Sequence, residues 1–135
     1  MKTFNYCIWA LPTYDHQWYT FMKFPPHLSI KINLDLGQAV NLMNSIKKER
    51  IYIRLGNKIE TSNDNGFNAA YYKIYCKNNP IWWPKNAHIS FKYKYECFSP
   101  EELKKIEQKI ISKGAILNTY KIMYCSGHWK TWRSI

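Results

Sequence analysis

Two short stretches constrain the fold more than any other part of this sequence. Each begins with a His-x-Ser triplet and continues with alternating apolar and polar residues: HLSIKINL from His27 and HISFKYKY from His88. Residues two apart in a β-strand share a face, so each stretch predicts a strand with an imidazole, a hydroxyl and a lysine on one side and apolar residues on the other. The residues predicted to share these polar faces are His27, Ser29 and Lys31 in the first strand, and His88, Ser90 and Lys92 in the second.

A predicted helix follows each of these strands. Asp35 is a candidate N-cap before the first helix, and Ser99 opens a capping box before the second, which is expected to stop near Gly114. We therefore expect an α+β fold of two pseudo-symmetric lobes of antiparallel sheet, with helices on the outside and a central cleft that carries both His-x-Ser motifs. Residues 1–135 are expected to form a single domain.

The remaining elements are read from periodicity and turn residues. The segment from Tyr14 to Pro26 is predicted to be a loop or short helix whose aromatic residues mostly cover the core. The other predicted elements are strands: Asn5–Pro12, Ile51–Ser62 with a break at Gly56, a hairpin partner beginning at Phe67, Leu117–Cys125, and a closing strand His128–Ile135.

Composition narrows the function classes. The formal net charge is +11, which favours polyanionic partners such as nucleotides or RNA ends, although a general bias toward lysine explains most of it. No apolar run approaches the roughly 20 residues that span a bilayer, and no signal-peptide order is present, so we expect a cytoplasmic monomer without a membrane partner. The four cysteines are scattered and are expected to be reduced, and we expect no metal or other cofactor.

Two imidazoles on opposite sides of a phosphorus atom can cleave a phosphodiester without a metal. One takes the proton of the attacking oxygen, and the other gives a proton to the leaving oxygen. The serines would donate hydrogen bonds to phosphate oxygens, and the lysines would add positive charge. A single histidine on a strand is more often structural, but its repetition in the same context favours catalysis. His16 and His128 lack that context and are expected at the surface or at the rim of a ligand site.

Several residues are similar to those of the two-histidine, LigT-like phosphoesterases, most closely the cyclic phosphodiesterase branch. An N-terminal strand ends in Trp9-Ala10-Leu11-Pro12, proline precedes His27, and Trp132 lies near the C-terminus. Tyr93 also resembles a family position, although simple alternation points it away from His88 unless the strand contains a β-bulge. The chain departs from the family pattern at Ala87, where a proline would precede the second triplet, and in its short length.

This resemblance implies hydrolysis of a 2′,3′-cyclic phosphate, an ADP-ribose cyclic phosphate, or a 2′,5′-linked or cyclic oligonucleotide. Viral relatives degrade nucleotide second messengers of host immunity, which would place such a protein in the host cytoplasm. The alternatives are a non-catalytic module that binds RNA or nucleotides in the same cleft, and an interaction domain with an inactive site. The assignment of acid and base stays open. The candidate substrate-binding residues are Trp9, Tyr14, Lys31, Lys92, Tyr93 and Trp132.

Overall fold

The regular structure of the described residues consists of eight strands, two α-helices and one 3-10 helix. The computed structural model describes residues 3–21, 25–64, 66–126 and 132–134. The elements are β1 (Tyr6–Pro12), a 3-10 helix (Gln17–Thr20), β2 (Leu28–Leu34), α1 (Leu36–Ser45), β3 (Ile51–Leu55), β4 (Glu60–Asp64), β5 (Phe67–Cys76), β6 (His88–Lys94), α2 (Pro100–Lys109), β7 (Gly114–Tyr124) and β8 (Arg133–Ser134). The α+β class predicted from the sequence is confirmed.

All strand pairs are antiparallel. The order is β2-β1-β7-β3-β5-β4, with β6 added to β5 and β8 added to β7. β5 belongs to two parts of the sheet. Its first residues pair with β4 and β6, and its last residues pair with β3. The predicted hairpin of β4 and β5 is therefore confirmed, as is the interruption near Gly56 that separates β3 from β4.

The two faces of the sheet have different surroundings. One face, which we call the helix face, carries the main apolar core together with residues of both helices, namely Ala39 of α1 and Ile106 and Ile110 of α2. The other face, which we call the cleft face, carries a smaller buried cluster of Cys7, Trp9, Leu11 and Met123, with Cys125 and Trp132 packed against it. Directly paired residues of antiparallel strands share a face, so the register assigns each strand residue to one side.

Both predicted helix starts are confirmed. Asp35 caps α1 and Ser99 caps α2, each in a reciprocal capping box with the residue three positions later. The predicted stop near Gly114 is wrong, because α2 ends at Lys109 and Gly114 begins β7. Glycine is needed there for another reason: a Cβ atom at this position would lie 3.0 Å from the carbonyl oxygen of Ile53 on the neighbouring strand.

The segment before β2 matches the prediction, whereas two of the cysteines do not. Trp18, in the 3-10 helix, is fully buried and donates its indole N–H to the carbonyl of Ser112, as expected for core cover. Cys7 and Cys125 form a disulfide, so the expectation that all cysteines are reduced is wrong.

Two further expectations concern the C-terminus and the membrane. The predicted closing strand is represented by Arg133–Ser134, and His128 lies outside the described residues. None of the described helices is long and apolar enough to cross a membrane.

Candidate active site

Both histidine motifs open onto one cavity of about 260 Å³ on the cleft face. His27, Ser29 and His88 are all in the lining of the cavity. Its walls are mainly apolar and aromatic, with contributions from Trp9, Ile32, Phe67, Tyr93 and Trp132. The two triplets, 61 positions apart in the chain, are therefore brought to a shared cleft by the sheet.

Two contacts position His27 directly before β2. Its Nδ1 lies 2.9 Å from the carbonyl oxygen of Pro25, and its ring stacks on Trp9 with centroids 3.3 Å apart and planes 5° from parallel. Because a carbonyl can only accept, the Nδ1 of His27 carries the hydrogen. The neutral ring therefore has its lone pair on Nε2, the nitrogen that a general base uses.

His88 is held in the same way on β6. Its Nδ1 lies 2.8 Å from the carbonyl oxygen of Asn86, two residues earlier, just as Pro25 lies two residues before His27. The ring of Tyr71, on the neighbouring strand, contacts the His88 ring edge-on with centroids 5.0 Å apart. His88 again uses Nδ1 for the backbone and leaves Nε2 for chemistry.

The electrostatic environments of the two imidazoles differ. Burial lowers the pKa of His27 to about 3, with the Pro25 hydrogen bond opposing this shift and the nearby charge of His88 adding to it. Both rings line the same cavity. His27 is therefore neutral at pH 7, whereas His88 is exposed and water can solvate its charged form.

A β-bulge in β2 moves Lys31 away from the cleft. Trp9 of β1 pairs with Ser29, but the preceding residue, Ile8, pairs with Lys31, so Ile30 is an extra residue. Ile8 belongs to the core of the helix face, and Lys31 opposite it shares that face. The prediction that Lys31 lies beside His27 is wrong for this reason, and Ile32 reaches the cavity instead.

A second bulge, at the same offset in β6, moves Lys92. Tyr71 pairs with Ser90 and Ala70 pairs with Lys92, so Phe91 is the extra residue and packs in the core. Lys92 lies on the helix face, where its Nζ is 3.9 Å from a carboxylate oxygen of Glu102 in α2. The prediction that Lys92 shares a face with His88 is wrong.

The same bulge brings Tyr93 into the cavity. Past Phe91 the alternation is inverted, so Tyr93 lies on the same side of the sheet as His88 and lines the cavity. Its hydroxyl is hydrogen-bonded to Ser90, a contact that lowers the pKa of Tyr93, but burial has the larger effect and raises it. Ser90 is buried below the cavity rather than in its lining.

The predicted aromatic contacts separate into two groups. Trp9 and Trp132 line the cavity, and their rings meet edge-on with centroids 6.0 Å apart. Trp132 also contacts Tyr93, at 5.8 Å between centroids. Tyr14 is absent from the lining and is 91% exposed in the loop after β1, so the structure does not bring it to the site.

His16 has a structural role. Its Nδ1 accepts a hydrogen bond from the backbone N–H of Trp18, so its Nε2 carries the hydrogen and donates to the carbonyl of Gly114 at 2.9 Å. Both ring nitrogens are thus used to fix the 3-10 helix against β7, which corrects the expectation that His16 lies at a ligand rim.

Sequence reasoning missed several wall residues, among them Ile32 and Phe67. Phe67 follows from alternation, because it shares a face with Tyr71 in β5, but Ile32 depends on a bulge that the sequence pattern does not reveal. Among the described residues, no group of three or more His, Cys, Asp or Glu side chains is placed to hold a metal ion. Comparison with protein-family models, curated proteins and solved structures gave no match to this chain.

Proposed function

We propose that this protein is a metal-independent phosphodiesterase that cleaves a cyclic or 2′,5′-linked phosphodiester in a small nucleotide. The observation that carries the proposal is the pair of imidazoles in one cleft, each with Nδ1 bonded to a backbone carbonyl two residues earlier. This arrangement engages Nδ1 of each ring with the backbone, so the acid–base chemistry that we propose uses the two Nε2 atoms. A purely structural histidine needs no such matched partner across a cavity.

The two environments assign the roles. His27 is buried and neutral, with a lone pair on Nε2, so it acts as the general base. His88 lies at the exposed side of the site, and we assign it as the general acid. His27 takes a proton from water as the water oxygen bonds to phosphorus. The bond from phosphorus to the leaving oxygen then breaks, and that oxygen receives the proton of His88.

Hydroxyl groups support the charge that builds on the phosphate. Ser29 lines the cavity next to His27 and can donate to a non-bridging oxygen. Ser90 is buried and hydrogen-bonded to Tyr93, so we assign it to positioning the tyrosine, whose ring forms a wall of the site. Trp9 keeps the His27 ring in place by stacking.

The two halves of the chain are proposed to be pseudo-symmetric. In each, a His-x-Ser strand is followed by a bulge at the third residue after histidine, a lysine on the helix face and a capped helix. These shared features support the resemblance to LigT-like phosphoesterases. Degradation of a host second messenger by a viral protein in the host cytoplasm stays a prediction of that resemblance.

Turnover by single-residue variants tests the proposal. The protein is incubated with 2′,3′-cyclic AMP, 2′,5′-oligoadenylate and cyclic dinucleotides in the presence of EDTA, and the products are separated by chromatography. We expect His27→Ala and His88→Ala each to lower kcat at least about 100-fold, because acid–base catalysis contributes roughly 10²–10⁴-fold. Lys31→Ala and Lys92→Ala are matched controls, since both lysines lie on the helix face, and they should retain activity.

Circular dichroism establishes that the variants are folded. Wild-type activity in either histidine variant would contradict the proposal, as would loss of activity with EDTA. The aromatic walls also fit a second function, the binding of nucleotides or RNA without cleavage. Salt-sensitive binding with no turnover of any substrate in the panel would favour that alternative.

A further inference from the structure

The cleft face continues beyond His88 along neighbouring strands. In β5, Tyr71 pairs with Ser90 and Lys73 pairs with His88, so both residues share the face of the second histidine motif. The contact between the Tyr71 and His88 rings makes this surface continuous with the active site.

The same face extends from β5 to β3. Tyr75 lies two residues after Lys73, and it pairs directly with Arg54 of β3. Tyr52, two residues before Arg54, completes the row on the same side. We call Tyr71, Lys73, Tyr75, Arg54 and Tyr52 the tyrosine track.

Exposure distinguishes the tyrosine track from its neighbours in the same strands. Tyr52 is 70% exposed and Tyr75 is 50% exposed, whereas Ile53 and Ile74, which alternate with them, are buried in the core. Packing inside the protein therefore does not account for these two large rings. Tyrosine presents a flat face on which a nucleic-acid base can stack.

The charge of the track also fits an anion. Arg54 and Lys73 are exposed between the tyrosines. One carboxylate lies nearby: Glu60 is 4.0 Å from the Nζ of Lys73, in an ion pair whose lysine side chain is 55% exposed. Such an exposed pair is weak, so the lysine can exchange it for a phosphate.

We propose that the tyrosine track binds single-stranded RNA and directs its terminal phosphodiester between His27 and His88. This inference rests on the proposed function and narrows its substrate to the end of an oligonucleotide. His88 and Tyr52 lie two strands apart across the sheet and four residues apart along the strand direction. Neighbouring strands are about 4.8 Å apart, and each residue adds about 3.3 Å along a strand. The path of roughly 15 Å is the length of about four stacked nucleotides.

Two substrates with the same reacting bond test the track. One is uridine 2′,3′-cyclic monophosphate, which is too short to reach Tyr75, and the other is a five-nucleotide RNA that ends in the same cyclic phosphate. We expect the double variant Tyr52→Ala/Tyr75→Ala and the variant Arg54→Ala to lower kcat/KM for the RNA about tenfold or more, with little change for the mononucleotide. The expectation follows from the stacking and charge contacts that these changes remove.

Control variants match the changes without touching the track. Tyr14→Ala removes an exposed tyrosine elsewhere, and Lys104→Ala removes an exposed cation of α2 on the opposite side of the sheet. Both should turn over the RNA like the wild type. The track is refuted if the wild type hydrolyses both substrates with equal kcat/KM, or if the track variants hydrolyse the RNA normally.

A binding measurement separates failure of the track from failure of the proposed function. Fluorescence anisotropy is recorded with a labelled five-nucleotide RNA that ends in a 3′-phosphate, at low and at physiological salt. If neither substrate is cleaved, the proposed function fails. The track is then upheld by binding that the track variants weaken about tenfold, and refuted by equal affinity in the wild type and the variants.

Discussion

Replacing His27 with asparagine should make the protein less sensitive to mild acid. The folded structure lowers the pKa of His27 from 6.5 to about 3, mainly through burial. Between these two values the unfolded chain binds a proton that the folded chain excludes, so the free energy of unfolding falls as the pH falls. The stability that depends on a neutral His27 is complete above pH 6.5 and is lost progressively down to about pH 3.

The magnitude follows from the size of the pKa shift. Each pH unit below the unfolded value costs about 1.4 kcal/mol, so lowering the pH from 7 to 5 should cost about 2 kcal/mol through this one residue. Asparagine cannot take up a proton in this range, and its side-chain amide can still donate to the carbonyl of Pro25. The loss between pH 7 and pH 5 should therefore be about 2 kcal/mol smaller in His27→Asn than in the wild type.

Urea unfolding followed by tryptophan fluorescence measures this difference. Comparing each protein with itself at the two pH values cancels the cost of the substitution and the titrations that both proteins share. His88→Asn is the matched control, because it removes the exposed imidazole of the cleft instead of the buried one. If the wild type and His27→Asn lose the same free energy between pH 7 and pH 5, the burial of a neutral His27 is wrong, and so is its assignment as the base.

Two further substitutions test how the site and the fold are supported. Trp9→Leu should lower kcat for cyclic nucleotides about tenfold, because it removes the ring stacked on His27. Trp9→Phe should retain most of the activity, because phenylalanine restores a stacked ring. Equal kcat in the two variants would show that stacking is unimportant. Ser99→Ala should lower the free energy of unfolding by about 1 kcal/mol in a denaturant titration, since it removes the acceptor for the backbone N–H of Glu102; an unchanged midpoint would exclude a stabilising cap.

The parts of the structure that were predictable from sequence are those set by local chemistry. Alternation placed Ser29, His88 and Ser90 on strands, with His27 directly before the first of them, and side-chain capping placed the starts of α1 and α2 at Asp35 and Ser99. The turn between β4 and β5 was predicted by its Asn, Asp and Gly residues. Each of these features depends on residues only a few positions apart.

The errors arise where one strand depends on its partner. A bulge inserts one extra residue and inverts the face assignments that follow it until the next change of register, which is why Lys31 and Lys92 were placed on the wrong side and Ile32 was missed. Nothing in the alternating sequence marks Ile30 or Phe91 as the extra residue. His27 is buried and His88 is exposed, and this difference also depends on tertiary structure. The sequence alone therefore left the acid and base unassigned.

The two bulges also change what the site can use for catalysis. With Lys31 and Lys92 on the helix face, no Lys, Arg, Asp or Glu side chain lines the cavity within the part of the chain that the structure describes. The net charge of +11 then acts on an approaching anion from a distance rather than by contact with the phosphate. The apolar walls lower the local dielectric, so in the proposed reaction each imidazole and hydroxyl would act more strongly on a phosphodiester than it does in water. The proposed function therefore depends on the two histidines for its chemistry and on the lysines of the outer surface for attraction of an anionic substrate.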